Sequence, residues 1–283
     1  MSALAAPVRL RDLIAADVAA AHRLSREAGW NQTDADWRLL LDLNPGRFVA
    51  AIADGQVVGT GGAACYGVEL AWVCMVLVDP RWRGGGIGQQ IVEGVLERVR
   101  DVARVGLDAT PAGRPVYLRL GFEEAYPLVR MSAPSSAKRR APGGAEALPA
   151  AALDVVLAMD RAVFGADRSA VLRAMHTRSG GWWVRGAGGF AAYGFLRDGQ
   201  DSRHVGPVVA RDVASARAVV EAALAEGAGP LLIDVPVHAE EWRSALAELG
   251  FSEQRPLMRM LRHGARPPGD PRMQLAILGP EFG

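Results

Sequence analysis

Apolar residues recur with two periods along the chain, and the switches between them mark out its elements. Residues 8–11 alternate as a first strand, and residues 12–28 place Leu13, Val18, Ala21 and Leu24 on one helical face. Thr33 or Asp34 can cap a second helix that starts near Ala35, carries Trp37, Leu40 and Leu41, and stops at Asn44-Pro45-Gly46. Residues 48–53 and 57–66 read as strands joined by Asp54-Gly55, a strong hairpin-turn pair. A third strand covers 68–78, and its end, 73–78, is wholly apolar. The chain then passes through Arg83-Gly84-Gly85-Gly86-Ile87-Gly88 into a helical pattern, with Ile91, Val95 and Val99 on one stripe and Val92 and Leu96 beside it. A short strand at 105–109 follows. Pro115 then opens a helix that Gly121 ends.

Composition narrows the class. The chain has 283 residues, 50% hydrophobic and 22% charged, with a net charge of +1. That suits a globular protein long enough for two domains, and it supplies no basic field for nucleic acid. Two cysteines, Cys65 and Cys74, fall in consecutive predicted strands and read as core thiols rather than a disulfide framework. No apolar run reaches membrane-spanning length and no leader pattern is visible, so the expectation is a cytoplasmic protein without a membrane partner. His176, His204, His238 and His263 lack metal-like spacing, and no metal is expected.

The second half echoes the first. Leu120-Gly121-Phe122 through Pro127-Leu128-Val129-Arg130-Met131 aligns with Leu249-Gly250-Phe251 through Pro256-Leu257-Met258-Arg259-Met260, at a constant offset of 129 residues. The elements expected upstream also correspond: two helices in 148–177, strands in 182–209, a helix at 212–226, a strand at 230–235 and a helix at 239–249. Residues 133–147, rich in Pro, Gly, Ser and Ala, read as a linker, and their basic knot Lys138-Arg139-Arg140 reads as solvated. The expected organisation is therefore a first domain at 1–132, a linker at 133–147 and a second domain at 148–283.

A strand, a glycine turn and a helix present free backbone N–H groups at a helix N-terminus, and glycines let a phosphate approach closely. The spacing is neither a Walker loop nor a GxGxxG fingerprint. It resembles the Arg/Gln-x-x-Gly-x-Gly/Ala signature of the GNAT acyl-CoA-dependent N-acyltransferases, with Arg83, Gly86 and Gly88 in place. Tyr117-x-x-x-Gly121-Phe122 is a second match, and the terminal GPEFG with the duplication points to a bacterial two-domain subgroup whose C-terminal half is degenerate.

The resemblance implies an α+β fold: two tandem GNAT units, each a mixed, mostly antiparallel sheet flanked by helices. It implies acetyl-CoA as cosubstrate, bound by Val76, Leu77, Val78, Arg83, Gly84, Gly85, Gly86, Ile87, Gly88 and Gln89. It implies Tyr117 as general acid for the departing thiolate, since a phenol with a pKa near ~10 can donate a proton at neutral pH. Trp30, Asn31 and Gln32 fall where the family binds its acceptor. The general base stays open among Glu27, Asp36, Glu69 and Asp108. Asp108, just before Thr110-Pro111, either faces the cleft or caps that turn, and it is carried as a catalytic candidate. The second half has Val208-Val209-Ala210-Arg211-Asp212 in place of the glycines and Leu246 in place of Tyr117, so it is expected not to use CoA.

The expected activity is transfer of an acetyl group to a primary amine of a small molecule by direct attack on the thioester, in a monomer or homodimer. Two other readings stay open: a CoA-binding sensor or interaction module without turnover, and an acetyltransferase of protein or peptide amines.

Overall fold

The computed structural model describes residues 7–135, 143–186, 190–226 and 229–283. Lys138-Arg139-Arg140 lies outside the described residues. The first half runs β1 (Arg9–Asp12), α1 (Val18–Glu27), α2 (Asp34–Leu43), β2 (Phe48–Ala53), β3 (Gln56–Tyr66), β4 (Leu70–Val78), α3 (Ile87–Arg98), β5 (Arg104–Ala109), α4 (Arg114–Arg119) and β6 (Phe122–Ala133). The second half runs β7 (Glu146–Ala147), α5 (Leu153–Phe164), α6 (Ser169–Ser179), β8 (Gly181–Val184), β9 (Ala192–Arg197), β10 (Arg203–Ala210), α7 (Val213–Ala225), β11 (Leu231–Pro236), α8 (Glu240–Glu248), β12 (Ser252–Arg262) and β13 (Gln274–Ala276). The first helix starts later than its pattern predicts, because residues 15–17 form a 3-10 turn in which the Asp17 carboxylate accepts from the Ile14 N–H. Thr33 caps α2 as its hydroxyl accepts from Asp36 N while Asp36 reaches back to Thr33 N, a reciprocal capping box. Asp54 and Gly55 both take positive φ, as the β2–β3 hairpin requires. Glu146 and Ala147, expected in a linker, form a short strand on β8.

The strands form one continuous mixed sheet in the order β1-β2-β3-β4-β5-β12-β6-β11-β10-β9-β8-β7, with β13 beside β10. Its centre departs from a simple tandem: β12, from the second half, lies against β5, and β6, from the first, lies against β11. The two exchanged strands pair with each other over Ser252↔Ser132 to Arg262↔Phe122. The repeated Arg130 and Arg259 both cross the exchange. Arg259 forks onto Asp108 of β5 with both bonds at 2.9 Å, and Arg130 forks onto Asp234 of β11 at 2.8 and 2.7 Å. All four side chains are buried.

Helices cover both faces of the first half. The stripe of Ile87, Ile91 and Val95 on α3 packs with Val73, Val105 and Leu107 on one face. Helices α1 and α2, with Trp37 fully buried, pack with Trp72 and Tyr66 on the other.

A defect in β4 opens the site. Met75 adopts φ 56, rare for a side chain with a Cβ, and its carbonyl accepts from Thr60 Oγ1 at 2.9 Å. The β3–β4 register slips there. β4 and β5 run parallel only from Leu70↔Arg104 to Trp72↔Gly106. Beyond that they diverge, β5 continues along β12, and among the described residues no strand pairs with the β4 edge that faces β5.

Candidate active site

The split between β4 and β5 opens into a cleft of about 840 Å³. One wall is the strand edge 73–78. At its mouth lies the glycine turn. Gly84 and Gly86 take φ 87 and 79, which a side chain would strain. A Cβ at Gly84, Gly85 or Gly86 would meet nothing within 4 Å, so the turn's backbone is open. Gly86 is the N-cap of α3, and the first backbone bond of that helix runs from Gln90 N to Gly86 O. Helix geometry therefore leaves the N–H groups of Ile87, Gly88 and Gln89 without partners along the helix. Arg83 Nε donates to Val78 O at 3.0 Å, which fixes the otherwise exposed guanidinium beside the turn. Just before it, Asp79 accepts from Arg81 N at 3.0 Å and Arg81 Nη2 at 2.7 Å, which sets the direction of entry.

Of the ten expected cosubstrate contacts, Val76, Leu77, Val78, Arg83, Gly84, Gly86, Ile87, Gly88 and Gln89 line the cleft, and Gly85 sits within the same turn. Tyr117 lines it from α4, its ring edge-on to Phe122 with centroids 5.9 Å apart. Burial raises its phenol well above the usual value, and Cys74 adds to the rise, so the hydroxyl keeps its proton at neutral pH.

Asp108 also reaches the cleft, but both of its oxygens accept from Arg259. Burial raises this carboxyl above its usual range while the charge and hydrogen bonds of Arg259 pull it back. The same pair recurs as Arg130–Asp234 in the half that lacks the glycine turn. This geometry gives Asp108, one of the open candidates for the base, a structural partner as a clamp on the exchanged strand. Among the other acidic candidates, Asp36 is buried and receives Arg178 at 3.0 Å and Arg197 at 3.1 Å, Glu69 is exposed at the β3–β4 turn, and Glu27 lines the cleft with about half of its side chain in solvent, one oxygen accepting from Arg23 Nη1 at 2.8 Å.

The acceptor segment divides. Trp30 and Gln32 line the cleft. Asn31 does not. Its Nδ2 donates to Ser202 O at 2.8 Å, and its Oδ1 accepts from Asp201 N and Ser202 N at 3.1 Å, which docks the segment onto the β9–β10 turn.

Residues from the second half complete this wall, and the local patterns do not reveal them. Arg255 and Leu257 come from the exchanged β12, and Pro280 and Glu281 from the C-terminal segment. That segment is held between the halves: Trp72 Nε1 donates to Pro280 O at 3.0 Å, and Tyr66 Oη donates to Phe282 O at 2.7 Å. Glu281 is buried, hydrogen-bonds Arg197, and accepts from Gln32 Nε2 at 2.8 Å. The signal for it in the sequence is a single carboxylate in an otherwise apolar, glycine-flanked tail.

Family models of the acetyltransferase (GNAT) domain match the chain twice, at residues 44–124 and 156–275. The "Uncharacterized N-acetyltransferase YitH" of Bacillus subtilis (strain 168) is 26% identical over 81% of this chain and 82% of its own length. The holothin acyltransferase of Pseudoalteromonas sp. (strain SANK 73390) is 25% identical over 90% and 87%. In fold, a putative acetyltransferase from Pyrococcus horikoshii superposes with a TM-score of 0.81 at 22% identity, covering 98% of this chain and 96% of that one. A tandem GNAT protein from the clavulanic acid biosynthesis pathway gives 0.63 at 15% identity, covering 92% and 99%. With two family matches on one sheet and a glycine turn in the first, this chain belongs to the GNAT superfamily as a two-domain member.

Proposed function

We propose that this protein is an acetyl-CoA-dependent N-acetyltransferase that acts on the amine of a small molecule. The observation that carries this reading is the divergence of β4 and β5 after Trp72, which leaves an unpaired strand edge leading from the open glycine turn to Tyr117. The N–H groups of residues 87–89 and the positive end of α3 suit the pyrophosphate, with Arg83 beside them. The free edge at 76–78 suits the amides of the pantetheine arm, added as an extra strand. Bound acetyl-CoA supplies the acyl group as a thioester. An N–H of the same β4 edge stabilises charge on the thioester oxygen, and Tyr117, a phenol uncharged at neutral pH, gives its proton to the departing sulfur. Glu27, the cleft carboxylate with solvent access, takes the proton of the amine through water. The acceptor wall is built from both halves as a pocket, and this supports a metabolite rather than a protein chain.

Calorimetric titration with acetyl-CoA tests the reading. One binding site is expected on the wild type. Gly85→Asp should weaken binding at least ~100-fold, because a carboxylate would face the pyrophosphate at a position where a side chain otherwise meets nothing. Two sites, or equal affinity in the variant, would overturn the assignment.

A further inference from the structure

Among the described residues, the buried arginines Arg130, Arg168, Arg197 and Arg259 each have a carboxylate partner: Asp234, Asp160, Asp36 with Glu281, and Asp108. Arg255, half-buried in the cleft, differs: it has no carboxylate partner among the described residues, and its Nε is buried without a hydrogen bond. Burial and the neighbouring charge of Arg130 lower its pKa, against the weaker pull of Asp234 and Glu281. A cation held this way is costly unless an anion joins it.

Its position identifies the side of the cleft. On β12, Met258 and Met260 face the α3 side, whereas Leu257 and Arg259 face Tyr126, Ile277 and the Trp72 ring. The pairing of Arg255 to Leu257 with Arg130 to Leu128 is regular, so Arg255 shares the face of Leu257. That face is opposite the glycine turn's helix and shared with Gln32 and Glu281. A second orphan lies there. Gln32 Oε1 is buried and accepts nothing. Its orientation is fixed, because a flipped amide would set its oxygen against the Glu281 carboxylate to which Nε2 now donates.

An unpaired guanidinium and an unpaired carbonyl acceptor in one wall make a matched set for a molecule with one anionic end and one N–H donor. We infer that the acceptor is a small amine that carries a carboxylate, its anionic end on Arg255 and an N–H on Gln32 Oε1, with Glu281 adding a favourable field at the nitrogen. This rests on the acyltransferase reading and narrows it to amino-acid-like substrates.

The test is thiol release from acetyl-CoA with matched probes: L-α-amino acids, their amides, and the amines left by decarboxylation. The carboxylate-bearing member of at least one series should exceed its partners by ~10–100-fold in kcat/KM, the worth of a charge-assisted pair. Arg255→Ala should raise KM for that substrate by a similar factor and erase the preference. Arg255→Lys should recover some of it, and both variants should bind acetyl-CoA as wild type does by calorimetry. Turnover of amides, simple amines or a peptide N-terminus as good as that of the amino acids would overturn the inference while leaving the acyltransferase reading in place. A preference that survives Arg255→Ala would overturn it as well. Failure of the wild type to bind acetyl-CoA would instead remove the reading on which it stands.

Discussion

The halves share one fold, and in each a pair of parallel strands diverges at the same place, yet only one half keeps the opening. In the first, β4 leaves β5 after three paired residues and the gap is a cleft. In the second, β10 leaves β11 after Arg203↔Leu231 and His204↔Leu232, and β13 fills the gap. Val208 and Val209 pair with Ala276 and Gln274, and Ile277 N donates to Asp234 O at 3.0 Å. The helix N-termini differ in the same sense. α3 begins at an open glycine, whereas α7 begins at Asp212, whose carboxylate accepts from Ser215 N at 2.7 Å. The second copy thus carries its own strand and its own anion where the first has room for a ligand's. The comparison teaches that ligand binding in this fold depends on what the chain leaves unpaired, more than on which strands it builds.

The largest effect should come from the feature that the halves have in common. Asp234→Ala and Asp108→Ala each leave a buried arginine uncompensated and should cost about 3–5 kcal/mol in urea unfolding. Turnover by the folded fraction of Asp108→Ala separates the roles: retained turnover leaves Asp108 as a clamp, whereas lost turnover in protein that is still folded would make it the base. Next in size is a residue only the first half has. Tyr117→Phe should slow turnover by roughly 10²-fold with acetyl-CoA affinity retained, while unchanged turnover would end its assignment as acid.

The last effect is a slope rather than a step, and it belongs to the second half. His204 is fully buried, its Nδ1 accepts from Arg197 at 3.1 Å, and its Nε2 faces Asp234 at 3.5 Å. Burial lowers its pKa from 6.5 to about 3, with Asp234 opposing the shift and Arg197 and Arg130 adding to it. The folded state keeps it neutral while the unfolded chain takes up a proton. Its contribution is therefore complete above pH 6.5 and falls as the pH drops toward 3, by up to about 1.4 kcal/mol per pH unit. His204→Asn should flatten the slope of stability between pH 6 and 4, and an unaltered slope would assign the acid sensitivity elsewhere.

Element order was legible because the patterns were strong. Strand 48–53, the capped helix after Thr33, the glycine turn and the Asp54-Gly55 hairpin are local signals, and each lies within a residue or two of its expected place. The glycine turn announced its half of the cleft for the same reason. The exchange of β6 and β12 was not legible, and the duplication itself explains why. The two strands share the Pro-Leu-x-Arg-Met core at the same offset, so either satisfies either sheet edge by pattern alone. The acceptor wall followed from that exchange: Arg255 and Leu257 come from the second half, and Glu281 from a tail whose partners lie more than eighty positions away in the sequence. Asn31 and Asp108 sat in the right neighbourhood, but each faces a neighbour that only the tertiary structure brings near.

The exchanged strand also sets the order in which the protein can be made. A ribosome that has released every residue of the glycine turn and Tyr117 has not yet finished the sheet that holds them, because the strand next to β5 is Ser252–Arg262. The first half cannot mature as a unit that folds early and waits. Its open β5 edge and the unclosed floor of its cleft persist until Ser252–Arg262 emerges, and the cleft is assembled only after that strand is made.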